Sequence, residues 1–170
     1  MISIKENFLS EDLFDSLKEK IVNQQSIAFY YNKDVAHTNE SREDFYFTHI
    51  IYDNHKPNSE LFENMIPILK KLNAEAPIQI RAILTISELF KKSEWHNDYN
   101  FNCKTAILYL NDCDGGTELK INDKIIFIKA DANKMLVFDT GVLHRAVTSK
   151  KEPIRYIINF NYFTKGNECI

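Results

Sequence analysis

From residue 78 onward, apolar residues alternate with polar ones, and this two-residue period constrains the fold more than any other feature. Eight short segments in this half have strand composition and are separated by turn residues at 112–116, 122–123 and 139–141. The predicted strands span 78–89, 95–99, 104–110, 117–121, 125–129, 135–138, 144–148 and 154–163. Eight closely spaced strands of this kind predict a double-stranded β-helix, that is, a two-sheet jelly-roll barrel.

The first 77 residues differ, because two of their segments have the 3.6-residue period of amphipathic helices. The first helix is predicted over about 11–23, with Ser10 placed to cap it and two acids in its first turn. The remaining predictions here are β-prone segments at 26–31 and 45–49, a polar loop at 32–43 and a second helix at 59–72. We therefore predict a mainly β, α+β protein of one domain, 1–170, in which region 1–77 supports a catalytic jelly-roll core at 78–163.

Composition excludes several classes of protein. The chain has 170 residues and a formal net charge of −3, without a lysine and arginine cluster that would bind nucleic acid. Its three cysteines are odd in number and lack the spacing of a metal knuckle, so we expect a reducing compartment and no disulfide framework. We find no secretory signal and no apolar run of membrane-spanning length. These features predict a cytoplasmic protein and leave its oligomeric state open.

The most informative motif for function is Trp-His-Asn-Asp-Tyr at 95–99. Alternate side chains of an extended strand point to the same face, so His96 and Asp98 can hold one metal ion together. A second imidazole, His144, would arrive from a later strand. Two histidines and one carboxylate leave several coordination positions open, as in non-haem Fe(II) oxygenases. The spacing thus predicts His96, Asp98 and His144 as metal ligands.

The last predicted strand has two different faces. Tyr156 begins an apolar face suited to burial under a helix, whereas Arg155, Ile157, Asn159 and Asn161 would face the barrel lumen. A buried arginine is costly unless an anion pairs with it, and either a protein carboxylate or a ligand carboxylate could do so. A dicarboxylate that spans the gap between the metal and Arg155 would fit this geometry.

These residues belong to a series of motifs that resembles a known family. In order, the series consists of His96-x-Asp98, segments 105–111, 115–119 and 133–138, then His144 and the segment 155–160. The sequence is similar at these positions to the Fe(II)/2-oxoglutarate-dependent dioxygenases, specifically the prolyl-4-hydroxylase-like group. The similarity covers about 78–163.

The resemblance implies the roles of the site residues. It implies that His96, Asp98 and His144 bind Fe(II), that Arg155 holds the distal carboxylate of 2-oxoglutarate, and that the Tyr109 hydroxyl reaches the same carboxylate. Asn159 occupies the position of a small polar residue near this ligand. O2 is then a co-substrate, ascorbate is a candidate cofactor, and succinate and CO2 are released as a C–H bond is hydroxylated. Such chemistry favours a lid, for which 32–43 and 90–94 are the candidate segments.

Substrate and activity class remain open at the level of sequence. Close relatives carry a tyrosine and a glycine-containing loop before the His-x-Asp motif, whereas this chain has an apolar run at 83–86. The substrate could therefore be a small molecule, an amino acid or a peptide segment, with prolyl peptides among the candidates. The alternatives to a dioxygenase are a non-catalytic, cupin-like barrel that binds a metal or ligand, and a zinc hydrolase that uses the same three ligands.

Overall fold

The computed structural model of the protein describes residues 2–24, 27–33, 45–87 and 92–165. Its helices are α1 (Glu11–Lys18), which continues into a π-helical stretch (Glu19–Asn23), and α2 (Phe62–Lys71). Its strands are β1 (Ile2–Lys5), β2 (Tyr30–Asn32), β3 (Tyr46–Asp53), β4 (Lys56–Pro57), β5 (Ala74–Ile86), β6 (Lys104–Tyr109), β7 (Gly116–Ile121), β8 (Lys124–Lys129), β9 (Met135–Asp139), β10 (His144–Val147) and β11 (Ile154–Thr164).

The strands form two antiparallel sheets. The larger sheet has the order β1-β9-β6-β11-β5-β3-β2, with β4 paired to β3, and the smaller sheet has the order β10-β7-β8. This arrangement confirms the predicted jelly-roll barrel with helices beside it. The edge strand β1, which pairs with β9, was not predicted, because its four residues show neither a long alternation nor a turn signal.

Strand β11 separates the two apolar regions of the molecule. On one face, Phe160 and its apolar neighbours pack against Leu17 of α1 and Ile68 of α2. On the other face, Ile157 packs with Tyr109 of β6 and with residues of the smaller sheet. The two-sided pattern predicted for this strand is therefore confirmed, and it places one cluster under the helices and the other between the sheets.

Both predicted helices are confirmed, with differences at their N-termini. Ser10 occupies the N-cap position of α1, but its side chain makes no capping hydrogen bond, so this part of the prediction is wrong. Helix α2 begins at Phe62, three residues later than predicted. The reason is local: the Ser59 hydroxyl accepts a hydrogen bond from the Leu61 amide (3.2 Å) and forms a turn before the helix.

The strand predicted at 95–99 is wrong. In the described structure this segment contributes only an isolated bridge, in which His96 and His144 exchange two backbone hydrogen bonds of 3.0 Å. Side chains fix the next residues instead, since the Asn97 amide donates to the Thr140 carbonyl (3.0 Å). The predicted loop at 32–43 lies largely outside the described residues, as do Cys169 and the first two residues of the predicted lid segment 90–94.

Two further observations concern the described chain as a whole. Neither described helix has the length and apolar character needed to cross a lipid bilayer. Cys103 and Cys113 are both buried and have free thiols.

Gly116 begins β7, and it lies close to the backbone of the neighbouring strand β8. A Cβ atom at this position would lie 2.1 Å from the Ile128 carbonyl oxygen, whereas a Cβ at Gly141 would meet nothing within 4 Å. We expect Gly116→Ala to lower the free energy of unfolding by about 1–3 kcal/mol through overpacking. Gly141→Ala is the matched control and should change it by less than about 0.5 kcal/mol. Denaturant unfolding of both variants measures the difference, and equal stabilities would contradict the close approach.

Candidate active site

Three potential metal ligands converge between the sheets. The Nε2 atom of His144 lies 3.6 Å from Asp98 Oδ1, and the Nε2 atom of His96 lies 3.9 Å from the same oxygen. The two imidazole rings are 4.4 Å apart between centroids, and the three ligand atoms all lie within 4.8 Å of one another. The structure therefore brings together the three residues that the sequence predicted as ligands. They are the one such group of three found among the described residues.

The backbone holds both imidazoles in the orientation that metal binding requires. His96 Nδ1 donates to the Glu94 carbonyl (3.1 Å), and His144 Nδ1 donates to the Val142 carbonyl (3.2 Å). A carbonyl can only accept, so each Nδ1 carries the proton and each neutral ring presents the lone pair of Nε2. The backbone bridge between His96 and His144 also fixes the distance between the two residues.

The Asp98 carboxylate is oriented by three side chains. Its Oδ2 atom accepts hydrogen bonds from Asn161 (2.7 Å), Thr105 (3.2 Å) and Asn159 (3.4 Å), which leaves Oδ1 facing the imidazoles. Sequence reasoning missed Thr105 as part of this site, although its position on alternating strand β6 could have revealed it.

The charge states of the ligands also suit a cation. Burial alone would raise the pKa of Asp98, but the His144 imidazole, the charge of Arg81 and the Asn161 amide together hold this pKa below its ordinary value. Burial and the neighbouring His144 lower the pKa of His96. At neutral pH, Asp98 is thus ionised and His96 is neutral, which is the protonation that a divalent metal ion needs.

The ligands open onto a cavity of about 520 Å³, a size typical of small-molecule sites. Trp95 and Arg145 line its wall, and the Arg145 guanidinium lies 4.2 Å from the Trp95 ring centroid. Arg145 also donates to Glu118 (2.7 Å), a carboxylate that it shares with Lys92 (2.6 Å), so its guanidinium has an ion-pair partner within the wall. Of the described residues that line the cavity, Asp98 alone carries a carboxylate.

Arg155 lies at another part of the same cavity and is 3% exposed. It donates to the Gly116 carbonyl (2.7 Å) and to Thr85 Oγ1 (3.4 Å), both neutral acceptors. Burial lowers the pKa of this guanidinium, and no carboxylate in the described part of the chain pairs with it. Of the two partners that the sequence left open, a ligand carboxylate therefore fits Arg155 better than a protein one.

The other two predicted co-substrate residues contact different groups of the site. The Tyr109 hydroxyl is buried, donates to Thr117 Oγ1 (2.8 Å) and has a pKa raised to about 12 by burial. Thr117 in turn lines the cavity. Asn159 lines the cavity too, but its amide contacts Asp98 and thus lies beside the metal ligands. Whether either residue contacts a co-substrate remains a prediction.

Known structures share this fold. A prolyl hydroxylase from Trichoplax adhaerens, solved with a hypoxia inducible factor peptide fragment, matches with a TM-score of 0.70 and 17% identity over 96% of this chain and 84% of its own. A prolyl-4-hydroxylase from Pseudomonas putida matches with a TM-score of 0.64 and 16% identity over 97% and 93%. An oxidoreductase of the 2OG-Fe(II) oxygenase family from Burkholderia pseudomallei matches with a TM-score of 0.75 and 10% identity over 95% and 85%.

At the level of sequence, no family model matches the chain and no curated protein resembles it. The structural matches confirm that the chain has the jelly-roll fold of the 2-oxoglutarate/Fe(II) oxygenases, prolyl hydroxylases among them. Identities of 10–17% show a shared fold, and the chemistry of the cavity bears on activity.

Proposed function

We propose that this protein is a dioxygenase that depends on Fe(II) and 2-oxoglutarate and hydroxylates a C–H bond of a small molecule, an amino acid or a peptidyl substrate. One observation supports this proposal above the others. An open His96, Asp98, His144 set shares one cavity with Arg155, a buried arginine that pairs with no carboxylate in the described part of the chain. The first group suits a metal with free coordination positions, and the second suits the distal end of a dicarboxylate.

Each residue has a defined task in this proposal. The two imidazoles and Asp98 would hold Fe(II), and Arg155, whose guanidinium donates to the Gly116 carbonyl and to Thr85 Oγ1, would bind the distal carboxylate of 2-oxoglutarate. When bound, iron and 2-oxoglutarate supply the oxidative chemistry that consumes O2, releases succinate and CO2, and inserts oxygen into the substrate. The apolar residues between the sheets keep bulk water away from the reacting atoms. Ascorbate would serve as an accessory reductant.

The alternatives explain fewer of these features. A zinc hydrolase needs a general base for its bound water, yet the one carboxylate among the described cavity residues is already a ligand. It would also leave Arg155 without a role. A cupin-like binding protein could use both groups but would not turn over, so it is separated from the dioxygenase by measurement of products.

Anaerobic titration of the Fe(II)-loaded protein with 2-oxoglutarate tests the first step. We expect a weak visible charge-transfer band from the chelate, with glutarate, which lacks the 2-oxo group, as the silent control. Admission of O2 should then yield succinate. A missing band would contradict the proposal, whereas a band without any succinate production, alone or with a panel of substrates, would favour the binding protein.

Tyr109→Phe tests a smaller contribution to the same site. Removal of a neutral hydrogen bond costs about 1 kcal/mol, so we expect the KM for 2-oxoglutarate to rise about fivefold with little change in Fe(II) affinity. Tyr162→Phe is the matched control, because this buried tyrosine lies on the helix-facing side of β11. Equal KM values in the two variants would exclude Tyr109 from co-substrate binding.

A further inference from the structure

Arg81 is a second cation of the cavity, and it forms no ion pair with a carboxylate of the described residues, although its charge acts on Asp98 from a distance. It lies on β5, lines the cavity and faces Asn159 across the β5–β11 pair. It makes no hydrogen bond or ion pair with any described residue, and its Nε atom is buried without an acceptor. Arg145, by contrast, is paired with Glu118, so Arg81 and Arg155 are the two lining arginines that form no ion pair with a described carboxylate.

The other unsatisfied polar atoms lie next to Arg81. Among the described residues, the buried side-chain atoms without a hydrogen-bond partner are Arg81 Nε, Asn159 Oδ1 and Asn161 Oδ1. All three residues are on the lumen side of adjacent strands. Buried polar groups almost always have a hydrogen-bond partner, so several unpaired polar atoms in one place indicate a missing ligand. Of the three residues, Arg81 and Asn159 line the cavity, so they offer a cationic donor and one amide acceptor.

Arg81 lies apart from Arg155, the residue proposed to bind the distal carboxylate of 2-oxoglutarate. Arg155 pairs with Thr85, and Arg81 precedes Thr85 by four residues on the same strand. At about 3.3 Å per residue, the two arginines are therefore roughly 13 Å apart along the sheet. A 2-oxoglutarate molecule held at Arg155 and at the metal would leave the Arg81 guanidinium for another molecule.

The charge balance of the loaded site leads to the same conclusion. A divalent metal ion and two unpaired guanidinium groups exceed the charges of Asp98 and a doubly ionised 2-oxoglutarate by one positive charge. An unpaired cation next to a metal ion weakens metal binding unless an anion compensates it. One further carboxylate would balance the cavity.

We propose that Arg81 binds the carboxylate of the primary substrate, and that Asn159 Oδ1 accepts a hydrogen bond from an N–H group of the same molecule. The substrate class is then a small acid of the amino-acid type, free or N-acylated, rather than an internal prolyl segment of a protein. This inference rests on the proposed dioxygenase function. It adds the substrate class to that function and assigns a specificity residue that the motifs do not include.

The protein contains its own reporter for a binding test. Trp95 is the single tryptophan of the chain and lines the cavity. The anaerobic Fe(II) and 2-oxoglutarate complex would be titrated with N-acetylglycine and with N-acetylglycinamide, and Trp95 fluorescence would be followed. The two probes differ in a single group, a carboxylate in the first and a neutral amide in the second.

A charge-assisted hydrogen bond implies a Kd for the acid that is at least about tenfold lower than the Kd for the amide. Arg81→Met should abolish this preference, and Arg81→Lys should retain part of it. Because the arginine is proposed not to touch 2-oxoglutarate, the chelate band of Arg81→Met should form at the same 2-oxoglutarate concentration as in the wild type.

Several outcomes would overturn the inference. The first is equal affinity of the wild type for the two probes, which includes the absence of binding. The second is a preference for the acid that survives in Arg81→Met. The third is a large shift in the 2-oxoglutarate affinity of that variant. The chelate band keeps the two proposals distinct. If the band forms and the acid preference is missing, only the substrate class is wrong. If the band never forms, the dioxygenase proposal fails, and the inference fails with it.

Discussion

Asp98→Ala is expected to abolish succinate formation and to weaken Fe(II) binding by at least about 100-fold. Loss of a residue that only orients a metal ligand typically costs 10- to 100-fold in affinity, and loss of the ligand itself should cost more. The substitution also removes the one negative charge that the described cavity residues contribute. Fe(II) affinity from equilibrium titration and succinate from turnover assays measure the two effects.

Two further variants make the result interpretable. Asp98→Asn keeps the shape of the side chain and should lose activity to a similar degree, which separates ligand chemistry from packing. Asp15→Ala, on the exposed face of α1, is the control and should behave as the wild type. Retained succinate production in Asp98→Asn would exclude Asp98 as a ligand.

Arg155→Met is expected to raise the Kd of 2-oxoglutarate by roughly 30-fold or more. Truncation of one partner of a buried charge pair costs about 2–5 kcal/mol, and each 1.4 kcal/mol corresponds to a factor of ten. The metal ligands are untouched, so Fe(II) affinity should stay within about twofold of the wild type. The onset of the chelate band gives the Kd directly.

A comparison of co-substrates provides the control for this variant. 2-Oxobutyrate chelates a metal through the same 2-oxo acid group but lacks the distal carboxylate, so Arg155→Met should change its affinity little. Similar losses for both compounds would mean that the substitution disturbs the metal site. An unchanged affinity for 2-oxoglutarate would place its anchor elsewhere.

The β-rich half of the fold was predictable because its signals are local. Alternation along 154–163 and the turn at 122–123 are properties of neighbouring residues, and both are found as predicted. The strand at 95–99 was predicted wrongly for the opposite reason. Its conformation depends on Thr140 and on the side chains that bind Asp98, all of which are distant in sequence.

The same distinction applies to the site. The predicted metal ligands and Arg155 follow from residue type and spacing, so the sequence sufficed to predict that they share a cavity, although the strand assumed for His96 and Asp98 is not formed. Arg81 also has the strand phase of a lumen residue, but its importance lies in having no partner. That property depends on every surrounding side chain and becomes visible only in three dimensions.

The backbone bridge between His96 and His144 links metal chemistry to strand alignment. Among the described residues, the segments of these two histidines are paired at two isolated bridges, His96–His144 and Lys92–Val147, so a slip of β10 by one position would turn the His144 imidazole away while most of the barrel kept its packing. We therefore expect an insertion or deletion in the turn at 140–143 to impair the proposed metal site more than the packing of the barrel. Variants that differ in the length of that turn would separate the stability of the fold from its ability to bind a metal ion.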